Sequence, residues 1–252
     1  MTMKTIESVI NRHERIALHF SGGKDSLCCL YLLKDYWDKI DVVWVNAGAS
    51  YPETLQQMEA VRQLVPNFVE IKSDQPSVIA KYGFPSDIVP VPNAEVGQHL
   101  RPLDVKIQPW TACCWKNLWE PMQNKMKEMG ITLIIRGQKN SDYRTAPIKS
   151  GYVENGIEYL FPLEHWTHDD CFQFLKNNNI PIPSWYEWAD TSLDCWDCTA
   201  CLDERGKEIA NMKTRYPEKW DIVRNRLMLI REESIRELNY IEKMIFAGGA
   251  NA

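Results

Sequence analysis

The feature that most constrains this chain is a short apolar run, Arg15–Phe20 (RIALHF), that breaks into Ser21-Gly22-Gly23-Lys24-Asp25-Ser26 and continues as a helical stretch from Leu27 to about Trp37. Strand, glycine turn and helix in immediate succession form the opening of a βαβ unit, which needs a second parallel strand to pair with. That strand reads Asp41–Val45 (DVVWV), followed by a loop, a helix from about Pro52 to Leu64, and a short strand Asn67–Ile71. The rhythm predicts an α/β fold with a parallel sheet flanked by helices.

The turn itself carries chemistry. Two glycines let backbone amides approach an anion closely, and the N-terminus of the following helix adds partial positive charge. Ser21 and Ser26 supply hydroxyl donors, Lys24 a full charge, and Asp25 a carboxylate suited to a magnesium-bound water. A plain glycine turn is the bland alternative, and the complete string in its strand-to-helix setting disfavours it. The string is not the GxxxxGK[ST] loop of phosphoryl-transfer enzymes.

Further along, Pro85, Pro90, Pro92, Pro102 and Pro109 mark residues 83–112 as a long irregular excursion near the site. A helix is expected from about Lys116 to Met129, closed by Gly130, and a strand at Ile131–Ile135 running into the loop Arg136–Pro147. A last short strand falls at Tyr159–Pro162, and Thr167 caps a helix through about Asn177. The tail from about Lys219 to Phe246 has apolar residues at helical spacing and reads as one long charged amphipathic helix. The expected organisation is a nucleotide-binding α/β unit over 1–180, with a cysteine-rich segment and helical appendage over 181–252 packed onto it.

Of the 252 residues 44% are hydrophobic and 25% charged, ordinary for a soluble globular protein. The first twenty residues are charged throughout and lack the apolar centre of a signal peptide, so the expected location is cytoplasmic. A net charge of −5 gives no general case for wrapping nucleic acid. Lys116, Lys125, Lys127, Arg136, Lys139, Arg144 and Lys149 do gather in one stretch, as a local basic patch or a solvated face.

Eight cysteines are many for a reducing compartment, and five fall in two clusters, Cys113-Cys114 and Cys195-x-x-Cys198-x-x-Cys201. Clustered cysteines in such a chain bind metal or do redox chemistry. Zinc takes similar CxxC spacing, although adjacent cysteines suit it poorly. Cys28, Cys29 and Cys171 lie on apolar helix faces and are expected in the core. His13, His19, His99, His165 and His168 have no ligand spacing with these groups and read as surface or structural residues.

Phe20–Ser26 (FSGGKDS) resembles the PP-loop of N-type ATP pyrophosphatases and of their relatives, the sulfonucleotide reductases. Ala47-Gly48 with Pro52-Glu53-Thr54 is similar to the family's D-T-G…P-E-T region, with Asn46 where an aspartate is usual. Cys113-Cys114-x-Lys116 and Pro121 resemble the CC…K…P pattern of adenylyl-sulfate reductases. Gly137-x-Lys139-x-Ser141-x-x-Arg144 resembles a phosphate-contact loop, with lysine replacing its first arginine, and Pro162-Leu163 with Trp166-Thr167 fits the pattern that follows. The likeness spans most of 15–220. It implies an adenine nucleotide alpha hydrolase-like (Rossmann-like) fold. Ser21, Gly22, Gly23, Lys24, Asp25, Ser26, Gly48 and Gly137 would contact ATP with Mg²⁺, and Lys24, Asp25, Lys139 and Arg144 would serve catalysis.

The same resemblance implies a 4Fe–4S cluster on Cys113, Cys114, Cys195 and Cys198. Cys201 departs from the pattern and stands as an alternative ligand or free thiol. Two reactions compete. ATP cleavage to AMP and pyrophosphate would adenylate a substrate for sulfur incorporation, whereas reduction of adenylyl sulfate or its 3′-phosphorylated form would yield sulfite. The intact SGGKDS string, and the absence of a cysteine between Cys201 and the closing FAGGANA, favour cleavage; the cysteine pattern favours reduction. A non-catalytic nucleotide- or redox-sensing subunit is the third reading, opposed by the loop lysine and arginine. Cluster-bearing ATP pyrophosphatases act in sulfur incorporation, and this chain is more similar to DNA-phosphorothioation subunits. The expected partners are a cysteine desulfurase as sulfur donor and a possible homodimer, with any nucleic-acid substrate presented by a partner protein because the net charge is −5, and no membrane because no apolar run reaches the length of a span.

Overall fold

The computed structural model describes residues 2–142 and 147–247. Its centre is a six-stranded sheet made of β1 (Ile16–His19), β2 (Ile40–Asn46), β3 (Phe68–Lys72), β6 (Leu133–Ile135), β7 (Val153–Glu154) and β8 (Ile157–Leu160). The spatial order is β3-β2-β1-β6-β8-β7, parallel except for the antiparallel β7–β8 pair. β1 lies between β2 and β6, with Leu18 level with Val42 on one side and Ile135 on the other. Covered on both faces, this strand is apolar without alternation, as a central parallel strand requires.

Helix α1 (Met3–Ile10) precedes β1, and α2 (Lys24–Leu32) follows it directly. Lys24, Asp25 and Ser26 therefore form the first helical turn rather than a loop ahead of it, because Gly23 takes the extended cap conformation. The helix stops at Leu32, short of the expected Trp37; a 3-10 segment, Lys34–Lys39, follows, with Trp37 Nε1 donating to the Leu30 carbonyl at 2.8 Å. Helix α3 (Pro52–Leu64) has the expected bounds.

The proline-rich excursion is more regular than its composition predicts. After α4 (Gln75–Tyr82), it holds β4 (Phe84–Ser86), α5 (Glu95–Leu100) and β5 (Ile107–Pro109), with β4 and β5 paired in a second parallel sheet. Prolines sit at helix starts and in a two-stranded sheet, where a missing N–H costs little.

The helix expected at Lys116–Met129 begins earlier. It comprises α6 (Trp110–Cys114), a π turn Trp115–Trp119, and α7 (Glu120–Glu128). Pro121 has no N–H to give the carbonyl four residues back, Asn117, and that carbonyl accepts the Ser73 hydroxyl at 2.6 Å instead. Gly130 ends the element at φ +63°, a left-handed cap that glycine adopts without strain.

Thr167 caps α8 (His168–Asn177), reciprocated by Asp170 in a capping box. Helices α9 (Gly206–Arg215) and α10 (Pro217–Ala247) close the described chain. The main core includes Leu18, Leu30, Val42, Leu133, Cys28, Cys29 and Cys171, with all three cysteines fully buried as expected. A second core joins Tyr51, Trp185, Trp188, Met212 and Val223, seating α9 and the first turns of α10. Among the described residues no helix is long and apolar enough to cross a membrane.

Candidate functional site

After β1 and β2 the chain leaves to β3, and only later returns to place β6 on the other side of β1. The carboxyl ends of β1 and β6 thus flank a point where connections run in opposite directions, the crevice where open α/β sheets bind ligands. Ser21–Ser26 follows β1 there, and Gly137–Lys139 follows β6.

The first loop is held by its own hydroxyls. Ser26 Oγ donates to the Gly23 carbonyl at 3.0 Å, and Ser21 Oγ lies 3.2 Å from Ser26 Oγ. Gly22 has φ +85°, and no side chain of α2 caps its first turn. The Lys24 amide donates to Tyr186 Oη at 2.9 Å, and the Lys24 ammonium stands 5.8 Å from the ring centres of both Phe172 and Tyr186.

Lys24 Nζ lies 3.0 Å from Asp25 Oδ2, and the wholly buried Lys139 Nζ lies 2.8 Å from the same oxygen and 2.9 Å from Asp142 Oδ1. Burial pushes the Asp25 carboxyl up, but the Lys139 hydrogen bond and the charges of Lys24 and Lys139 outweigh it and hold Asp25 below its ordinary value. Burial acts to lower Lys139, and the two aspartates more than reverse it. Asp25 Oδ1 is buried with no hydrogen-bond partner among the described residues.

Gly137 faces the loop backbone. A Cβ there would meet the Asp25 carbonyl carbon at 2.7 Å and the Ser26 nitrogen at 2.9 Å, backbone atoms that cannot step aside. Gly137→Ala is therefore expected to cost about 1–3 kcal/mol by overpacking and to weaken nucleotide binding. Urea unfolding and nucleotide titration check this; a variant matching wild type in both would refute the contact.

Two cavities adjoin these loops. A polar recess of about 270 Å³ is lined by His19, Ser21, Asp25, Ser26, Arg136, Gly137 and Gln138. A larger cavity of about 530 Å³ runs from His19 and Ser21 past Trp44, Trp115, Trp119 and Tyr159 to Asp194 and Cys195. Its size and aromatic walls suit a nucleoside. Gly48 is exposed and turns the chain at φ +83°, its amide donating to Asn46 Oδ1 at 3.1 Å, while its neighbours Ala47 and Ser50 line the cavity.

The five clustered cysteines are brought into one neighbourhood. Ser50 and Cys195 form an antiparallel bridge, and Trp196 donates its amide to the Ala49 carbonyl at 2.9 Å, tying the cysteine-rich segment beside the loop after β2. Arg205 anchors the same turn through the Cys198 carbonyl at 2.7 Å. Cys201, at φ +54°, is held by its amide to Asp87 Oδ1 at 3.0 Å. Burial, then the neighbouring Cys198, pushes the Cys113 thiol up to about 11; burial, Cys198 and Cys113 push Cys114 up to about 12. Cys113 Sγ also receives a hydrogen bond from Asn117 Nδ2 at 3.5 Å. Among the described residues no three His, Cys, Asp or Glu side chains converge tightly enough to hold a metal ion.

Arg144 lies outside the described residues. The basic stretch divides: Lys139 is buried, Lys125 pairs with Glu128 at 2.6 Å, and Lys116 sits 4.7 Å over the Tyr82 ring. Sequence reasoning missed four residues of the site: His19, Arg136, Asp142 and Tyr186. His19, expected at the surface or in a structural role, lines both cavities and accepts at Nδ1 from Arg136 Nε at 3.2 Å. Its signal was positional, since His19 ends β1 and Arg136 follows β6, the two strands beside the switch point. Nothing in the sequence points to Tyr186, which arrives from 162 residues away.

The fold and these loops define a nucleotide-site architecture, and comparison with known proteins gives it a family. Residues 15–201 match the phosphoadenosine phosphosulfate reductase domain, and the chain belongs to that family. It is 23% identical over 241 residues to an uncharacterised protein of Methanocaldococcus jannaschii, covering 92% of this chain and 53% of the other. It is 25% identical over 166 residues to an adenosine 5′-phosphosulfate reductase of Deinococcus radiodurans, covering 64% and 57%. The chain thus spans little more than half the length of these relatives. In structure it is similar to a phosphoadenylyl-sulfate reductase from Candida auris in complex with phosphate, at TM-score 0.54 and 14% identity, covering 73% of this chain and 83% of the other. That likeness concerns the fold.

Proposed function

We propose that this chain cleaves ATP between its α and β phosphates to adenylate an acceptor for sulfur incorporation, and that Cys113, Cys114, Cys195 and Cys198 carry a 4Fe–4S cluster. The observation that supports cleavage is the polar recess lined by Ser21, Asp25, Ser26, Arg136 and Gly137, set beside a nucleoside-sized cavity. An acceptor oxygen attacks the α-phosphorus, the bond to the bridging oxygen breaks, and pyrophosphate leaves into the recess. Lys24 and the α2 amides offset the charge that develops on it. Lys139 holds Asp25 ionised and aimed. A sulfur nucleophile then displaces AMP from the adenylated acceptor.

Lys24 and Lys139 against Asp25 and Asp142 leave no net charge in their network, and the single charge of Arg136 at the recess falls short of a triphosphate, which calls for a further cation. The Asp25 carboxylate, which lines the recess, would suit a hydrated Mg²⁺ that neutralises phosphate charge. The cysteine donor set fits an iron–sulfur cluster in kind, since thiolates are its ligands and cationic iron would offset the burial and the mutual repulsion that raise these thiols. A cluster would add a redox centre at the cavity wall, where Cys195 lies.

The names of the reductase relatives favour the other reading, so the test sets both side by side. Protein purified without oxygen is expected to carry about four irons with matching sulfide, and to release pyrophosphate and AMP from Mg²⁺-ATP, water standing in for the acceptor oxygen at the α-phosphorus. Sulfite from adenylyl sulfate with thioredoxin, without ATP cleavage, would establish reduction instead. Zinc in place of iron would end the cluster proposal.

A further inference from the structure

Arg136 Nε donates to His19 Nδ1 at 3.2 Å. A guanidinium keeps its protons, so Nδ1 is the acceptor and the ring proton resides on Nε2. His19 Nε2 is buried and has no hydrogen-bond partner among the described residues. Buried donors left unpaired are uncommon, and in a ligand cavity they mark where a ligand acceptor sits. His19, Ser21 and Arg136 are shared by the two cavities and so stand at their junction. For a nucleotide with its nucleoside in the larger cavity and its outer phosphates in the recess, that junction holds the α-phosphate.

We propose that His19 is a substrate-contacting residue whose Nε2–H binds an α-phosphate oxygen of the adenine nucleotide. This rests on the nucleotide-site reading above, and holds for either reaction weighed there. Burial, then the Arg136 charge, holds the imidazole down to about pKa 3, so it acts as a neutral donor and not as a proton carrier. Arg136 fixes its tautomer. The donor stays with the phosphate retained in AMP, and not with the departing pyrophosphate.

Calorimetric titration of wild type, His19→Ala and His19→Gln with AMP, adenosine and inorganic pyrophosphate tests this. His19→Ala is expected to weaken AMP about 10- to 100-fold, the loss of one hydrogen bond to a charged group, with adenosine and pyrophosphate changed less than about twofold. His19→Gln, which keeps an N–H at the same reach, is expected to recover most of the AMP affinity. Unchanged AMP binding, an equal loss for adenosine, or no recovery in His19→Gln would overturn the proposal. Nitrogen NMR of the wild-type imidazole decides if the variants fail to fold: the Nε2 resonance must move with AMP and stay with adenosine. Wild type that binds none of the three ligands would instead refute the nucleotide reading itself.

Discussion

Lys24→Ala is expected to lower kcat/KM for pyrophosphate release by about 10²- to 10³-fold, the usual cost of removing one preorganised charge stabiliser. The Lys24 ammonium is nearly buried and bracketed by Phe172 and Tyr186, so it is positioned before any ligand arrives. In the proposed reaction its attraction grows as negative charge gathers on the departing pyrophosphate, and the loss should therefore fall mainly on kcat. The fold should survive, because Asp25 keeps Lys139 at 2.8 Å. Steady-state kinetics with AMP and pyrophosphate measured together, alongside thermal unfolding, check both statements. Undiminished kcat/KM in a folded Lys24→Ala protein would remove the loop from the reaction.

Lys139→Ala should act on stability first. It strips the fully buried partner from Asp25 and Asp142 at once, and breaking a buried pair costs about 3–5 kcal/mol. We expect the lower end, about 3 kcal/mol, because both carboxylates keep some contact with water. The pH dependence has a defined sign. Asp25 has its folded value depressed below 3.8, so its contribution is complete above that value and disappears as pH falls through the lower folded one. Lys139 has its folded value raised above 10.5, so its contribution is complete below 10.5 and disappears as pH rises through the higher one. The gap between wild type and variant in urea unfolding should be flat from about pH 5 to 9 and shrink in strong acid. A gap under about 0.5 kcal/mol, the size of an ordinary surface change, would mean that the network carries no load.

Much of this was legible in the chain because the interactions are local. Thr167 caps α8 as its sequence position predicts, Asp170 three residues on completing the box, and Pro52 opens α3 where a proline is tolerated. Boundaries slipped where a distant group took over a backbone atom. Ser73 captures the Asn117 carbonyl that Pro121 frees, and the helix expected from Lys116 gains a π turn and an earlier start. The proline-rich excursion gained strands because β4 and β5 found each other across some twenty residues, a pairing no local pattern encodes.

The sequence by itself determined the α/β class, the strand–SGGKDS–helix unit and the five thiols as a group, since these rest on periodicity, glycine geometry and spacing along the chain; the Gly137 loop was marked by resemblance, and its meeting with the first loop came from strand order. Only the tertiary structure decided which groups share a cavity: His19 with Arg136, Lys139 with both Asp25 and Asp142, Tyr186 on the Lys24 amide, and Cys195 at the far wall from the phosphate loop. Those partnerships are set by strand order. β6 lies beside β1 in space and more than a hundred residues away in sequence, so the burial and charge that define each group's chemistry exist only once the sheet has formed.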